Sequence, residues 1–210
     1  MEDEKEFRFQ CVNCGNCCTD KNTIVNVTYK DILLIKNGLK LNIEESLETL
    51  GFYVFENPPT HEQLKKMVVP PIKTKGGLAF VGLLKNNSGG CVFYDYEKKR
   101  CKIYKLRPMI CRTFPFSFKI ILDRRDKEMK EIEIYLTDKG HEFCKGIKDE
   151  FPPIQEDKWI QLGKETINNM NDNRILIEKW NEAVNTGKIE ASARNFLLTV
   201  INLEKKEVDN

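Results

Sequence analysis

The chain has 210 residues, 34 basic against 32 acidic, and a formal charge of +2. That length suffices for a domain with its own core, so metal or disulfides are not needed merely for folding. The balanced charge excludes any whole-chain pull toward nucleic acid or a membrane. The opening MEDEKEFRF lacks the basic-then-apolar pattern of a secretory signal. No apolar run approaches the roughly 20 residues of a membrane span. The expectation is a soluble cytoplasmic protein, a setting in which thiols stay reduced.

The first feature along the chain is FRFQCVNCGNCCTDK, with Cys11, Cys14, Cys17 and Cys18 inside eight residues. After it, VTYKDILLIKNGLK reads as a helix capped by Thr28 with Asp31 three residues on, and Gly38 is a candidate stop. LNIEESLETLG repeats that grammar with Asn42, Glu45 and Gly51. A turn-rich stretch follows, in which LAFVGLL has strand composition. CVFY and CKIY read as short strands joined by DYEKKR, placing Cys91 and Cys101 near a hairpin. RPMICRTF reads as a helical turn with Pro108 at its first position. FSFKIIL and EIEIYL form a second hairpin across the charged DRRDKEMK, with Ile132, Ile134 and Leu136 on the core face.

Past Cys144 the composition changes. DEFPPIQEDKW marks a boundary near residue 150, and three helical segments are expected in 151–210. Apolar stripes run through Leu176, Trp180, Ala183 and Val184, ending at Gly187, and through Ala193, Phe196, Val200 and Leu203. The fold class is α+β: a cysteine-rich domain over 1–150 with a helical extension over 151–210. The extension carries no cysteine, so it is expected to cover the core or bind a protein partner rather than hold metal. A chain cut near Gly146 is then expected to keep its metal.

Eight cysteines in this length lie below the density of a disulfide scaffold, and clustered thiols in a reducing compartment point to metal or to thiol chemistry. The candidate ligands are Cys11, Cys14, Cys17, Cys18, Cys91, Cys101, Cys111 and Cys144. All-sulfur ligation suits an iron–sulfur cluster or zinc and excludes calcium and magnesium. The bland alternative is that some, Cys144 above all, are buried apolar thiols. Thiol–disulfide exchange at CVNC or CGNC is a third reading, but neither sits between a strand and a helix. Paired CxxC motifs at zinc-ribbon separation and the CxxxCxxC radical run are both absent.

Lys98 to Arg112 hold seven cations and no acid. Arg107 and Arg112 are candidates to offset the charge of a thiolate centre; the competing reading is a solvated basic edge. A nucleic-acid site is disfavoured, since only Tyr104 interleaves aromatics there. His61 and His141 are weak ligand candidates. Adjacent side chains of an extended chain face opposite ways, so Cys17 is expected to side with Cys11 and Cys14, and Cys18 with the later cysteines.

FQCVNCGNCC, CVFYDYEKKRCKIYKLRPMICRTFPF and CKG together resemble the YkgJ-type cysteine-cluster family, the CxxCxxCC zinc- or iron-chelating domain, over roughly residues 7 to 147. Each of that family's eight cysteines has a counterpart here, and its Arg-Pro and Cys-Arg pairs correspond to Arg107-Pro108 and Cys111-Arg112. One departure is CKG, where many relatives have Cys-Pro-Gly. The resemblance implies metal chelation; some members are described as iron–sulfur oxidoreductases. Flagellin lysine methylase is similar in its cysteine domain, but this chain has no GxGxG loop for a methyl donor, so methylation is not carried over. No catalytic motif is identified.

Overall fold

The computed structural model describes residues 6–67, 69–122 and 129–208. A single helical turn, α1 (Asn16–Thr19), carries the first cysteine run, and α2 (Tyr29–Leu39) follows. The expected cap of α2 is present in full: Thr28 Oγ1 accepts from the Asp31 amide, and the Asp31 carboxylate accepts from the Thr28 amide at 2.9 Å. Gly38 does not stop this helix. Lys40 does, in the left-handed conformation (φ 57°), while Gly38 leaves room for the Leu106 side chain, which a β-carbon would meet at 2.5 Å.

α3 (Ile43–Leu47) has the same reciprocal cap from Asn42 and Glu45. It ends before Gly51, which lies within β1 (Leu50–Val54) and pairs with Gly82. α4 (His61–Lys66) leads to β2 (Ile72–Thr74) and β3 (Gly77–Leu83), and the three strands form an antiparallel sheet ordered β1-β3-β2.

The cysteine hairpin is shorter than its sequence suggests. β4 (Tyr94–Asp95) and β5 (Arg100–Cys101) contribute two residues each, with Tyr94 opposite Cys101. α5 (Met109–Thr113) starts one residue after Pro108. The second hairpin, β6 (Phe116–Leu122) with β7 (Met129–Leu136), holds the expected alternation: Ile132 is buried between exposed Glu131 and Glu133. Its charged connection at 123–128 lies outside the described residues. α6 (Asp138–Phe143) ends at Cys144.

Among the described residues of the extension two helices are present, not three: α7 (Glu156–Asn185) and α8 (Ala193–Val208). The expected first break is missing because α7 runs unbroken past Gly163, whose bare face receives the Phe118 ring. Gly187, at φ 70°, does mark the turn out of α7. The architecture is α+β.

One apolar cluster joins the two parts of the chain. Trp180, Phe196, Leu197 and Val200 pack with Ile32, Ile35, Leu50, Ile72, Val81 and Ile103, and Cys91 and Cys101 border it. Each such side chain contributes about 1.5–3 kcal/mol on burial. The stripes at Trp180 and Phe196 are therefore spent on the core. Among the described residues no helix is long and apolar enough to cross a membrane.

Candidate metal centre

Gly15 adopts the left-handed conformation (φ 77°), which a glycine takes without steric cost. The Tyr94 ring lies over its bare face, where a β-carbon would fall 2.2 Å from the phenol oxygen. The turn made there lets the Gly15 carbonyl accept from the amides of Cys18 (2.9 Å) and Thr19 (3.0 Å). Cys17 and Cys18 are thus helical, and the premise of an extended chain fails. About 100° of helical rotation separates them rather than 180°, and their Sγ atoms are 4.0 Å apart.

Each later cysteine is brought in by its own backbone anchor. The Cys91 amide donates to the Cys18 carbonyl at 2.8 Å, tying the two segments directly. Cys101 is fixed by its pairing with Tyr94. Cys111 rides on α5, whose Met109 amide donates to the buried Asp31 carboxylate at 2.9 Å. The Asn16 side-chain amide donates to the Phe143 carbonyl at 3.0 Å and holds the α6 end that presents Cys144. The N-terminal flank is clamped as well: the amides of Phe9 and Gln10 donate to the carbonyls of Pro152 and Gly146.

The result is one cavity of about 80 Å³ whose wall includes all eight cysteines and Arg107. Among the described residues no carboxylate or imidazole lines it. Among the described residues no set of three or more His, Cys, Asp or Glu side chains is gathered so as to hold an ion; the thiols line a shared space without converging on one point. The chemistry of the donors fits an all-sulfur centre of iron–sulfur or zinc type. A larger cavity of about 440 Å³, mainly apolar, shares Cys17 and Cys111 with the first.

Residues 10–145 match the family described as CxxCxxCC, "Putative zinc- or iron-chelating domain". The chain belongs to the CxxCxxCC family. That match contains every cysteine of the cavity. The uncharacterized protein MJ0661 of Methanocaldococcus jannaschii is 31% identical over 139 residues, covering 66% of this chain and 58% of that protein. The chain therefore spans less than two thirds of that relative's length. No solved structure matches.

Within this CxxCxxCC cavity the charges are uneven. The Cys17 and Cys18 thiols share a hydrogen bond, and that bond together with the Arg107 guanidinium lowers the Cys17 pKa to about 7. Cys18 is pushed strongly up by that bond and by burial. Burial also raises Cys91, Cys101, Cys111 and Cys144. Cys17 lines a small cavity with Cys18 and Cys91, and it shares the apolar cavity with Cys111. Cys17 is therefore not confined to the side of Cys11 and Cys14; it lies between the groups. Cys18 does lie beside a later thiol, since it lines a small cavity with Cys91, whose amide donates to its carbonyl.

The two arginines separate. Arg107 lines the cavity, stacked 3.9 Å over the Tyr104 ring. Arg112 is not on the wall; it donates to Met109 Sδ at 3.5 Å, and its buried Nε has no hydrogen-bond partner among the described residues. His61 and His141 are exposed and lie off the wall. Sequence reasoning passed over Tyr94 and Asn16. Neither carries a local signal, because their partners are contributed by distant segments.

Proposed function

We propose that the protein holds an iron–sulfur cluster through thiolates drawn from Cys11, Cys14, Cys17, Cys18, Cys91, Cys101, Cys111 and Cys144, in a redox or accessory role. The observation that carries this reading is the single cavity lined by eight thiols and, among the described residues, by no carboxylate or imidazole. A bound cluster supplies one-electron transfer. The chain's own contribution is to hold the thiols in place and to set a guanidinium, Arg107, beside Cys17, where it offsets thiolate charge. A reducing compartment such as the cytoplasm belongs to the proposal, because oxidised thiols could not ligate.

A structural zinc module acting through protein partners is the second reading. It is favoured by the Cys17–Cys18 separation of 4.0 Å, close to the roughly 3.8 Å between two thiolates on a tetrahedral zinc with bonds near 2.3 Å. Anaerobic purification with assay of iron, zinc and acid-labile sulfide separates the two. Iron with matching sulfide, and visible absorbance bleached by dithionite, is the expected result. A colourless zinc protein would replace the first reading with the second, and a folded protein that takes up neither metal would sink both.

The central place of Cys17 makes a further expectation. Cys17→Ser should lower bound metal per folded chain to less than about half, because several thiols lose a common neighbour. Cys11→Ser should cost less. Equal losses from the two variants would contradict this ranking.

A further inference from the structure

Beside the thiol cavity runs a second, polar groove of about 550 Å³, walled by Lys98, Arg100, Lys102, Tyr104 and Asn13, and sharing Cys101 with the cavity. Lys98, Arg100 and Lys102 are exposed, and among the described residues none of them is in an ion pair. Asp95, the one acid on this wall among the described residues, accepts from the backbone amide of Lys98 at 3.0 Å. Between Asp95 and Arg107 there are six cations and two acids, in a chain whose net charge is only +2. These cations are thus crowded on one short segment, and the groove they wall shares Asn13, Cys101 and Tyr104 with the thiol cavity.

We propose that this groove receives an acidic segment of a partner protein, which brings the partner's surface to the edge of the thiol site. Like charges crowded around a concave, open wall are relieved by an anionic occupant and steer it during encounter. Tyr104, 42% exposed, lines the groove and offers the aromatic contact area typical of protein interfaces. A polynucleotide fits less well. Its footprint calls for a strongly basic domain and an extended stripe of cations, whereas this chain has a pI near 8.0 and acids within the hairpin itself. The inference holds for either metal, so it stands or falls apart from the reading above.

The test uses the full-length, metal-loaded protein and a fluorescein-labelled octaglutamate peptide, followed by anisotropy at low and physiological salt. Binding that weakens steeply with salt is expected, as is a loss of about tenfold or more in the double variant Arg100→Glu, Lys102→Glu. The milder Arg100→Gln, Lys102→Gln protein should lose part of the binding and guards against misfolding. Lys75→Glu with Lys188→Glu makes the same change in net charge far along the sequence and should leave binding nearly intact. Metal content should be unchanged throughout. No peptide binding at low salt, equal loss in the control, or tighter binding of a labelled single-stranded oligonucleotide would overturn the proposal. Metal loss in the groove variants would overturn it too, by assigning these cations to the thiol centre.

Discussion

Replacing Asp31 with alanine is expected to lower stability by about 3–5 kcal/mol, read from urea unfolding. The Asp31 residue is 2% exposed, and its carboxylate accepts from the Thr28 amide, the Thr28 hydroxyl and the Met109 amide. Truncation leaves these donors buried without an acceptor. It also unhooks α5, so bound metal should fall with stability, since Cys111 is positioned by that helix. A loss below about 1 kcal/mol would show that water or a shifted neighbour replaces the carboxylate.

The same residue sets a pH dependence. Burial outweighs these hydrogen bonds and holds the Asp31 carboxyl above its ordinary range. The folded chain therefore binds this proton more tightly than the unfolded chain, where the group titrates near about 3.9. The stability gained from that difference is fully present below the unfolded value and is lost as pH rises through the raised one. Asp31→Asn removes the titration. The wild-type advantage over Asp31→Asn should shrink as pH climbs through that window, and the difference between the two proteins cancels other titrating groups. A constant difference would contradict the assignment.

Trp180→Ala is expected to cost about 3–5 kcal/mol by opening a cavity in the shared core. Trp180 is 1% exposed, its indole N–H donates to the Lys73 carbonyl at 3.0 Å, and the Phe196 ring meets it edge-on at 5.2 Å. Trp180→Phe should lose less, about 1–2 kcal/mol, since the aromatic volume is largely kept and one hydrogen bond goes. Equal losses would show that the hydrogen bond, not the packing, dominates. A chain cut near Gly146 lacks Trp180, Phe196, Leu197 and Val200 together. The expectation from composition, a folded fragment that keeps its metal, gives way to an expectation of no folded fragment; circular dichroism of that chain checks it.

These residues show where sequence reading holds. The caps at Thr28 and Asn42 were legible because a cap is made by residues three apart. The hairpin of β6 and β7 was legible because alternation encodes one buried face. The ends at Gly38 and Gly51 were not, since each glycine answers to a distant partner, Leu106 in one case and the opposing strand in the other. The candidate ligands were visible as a set, and the structure brings all eight to one wall. Their mutual arrangement was not visible: it depends on left-handed Gly15, on the Cys18–Cys91 backbone bond and on the Asp31–Met109 bond. Arg107 and Arg112 look alike in sequence, and only tertiary placement tells the cavity wall from the packing behind it.

The clamp on the N-terminal flank has a consequence in time. Phe7, Phe9 and Gln10 are held to Ile154, Pro152 and Gly146 by backbone bonds, and the Phe7 and Phe9 rings pack on Phe116. On a ribosome, the first four thiols emerge well before any of these partners exist, and domains close only as their chain is delivered. Through most of synthesis Cys11, Cys14, Cys17 and Cys18 form a loose, half-built site. The full complement assembles only after the start of α7 has left the tunnel. Under the proposed function, metal is therefore acquired late, by a nearly complete chain, and an ion caught earlier by the nascent loop is held by half its ligands and readily exchanged.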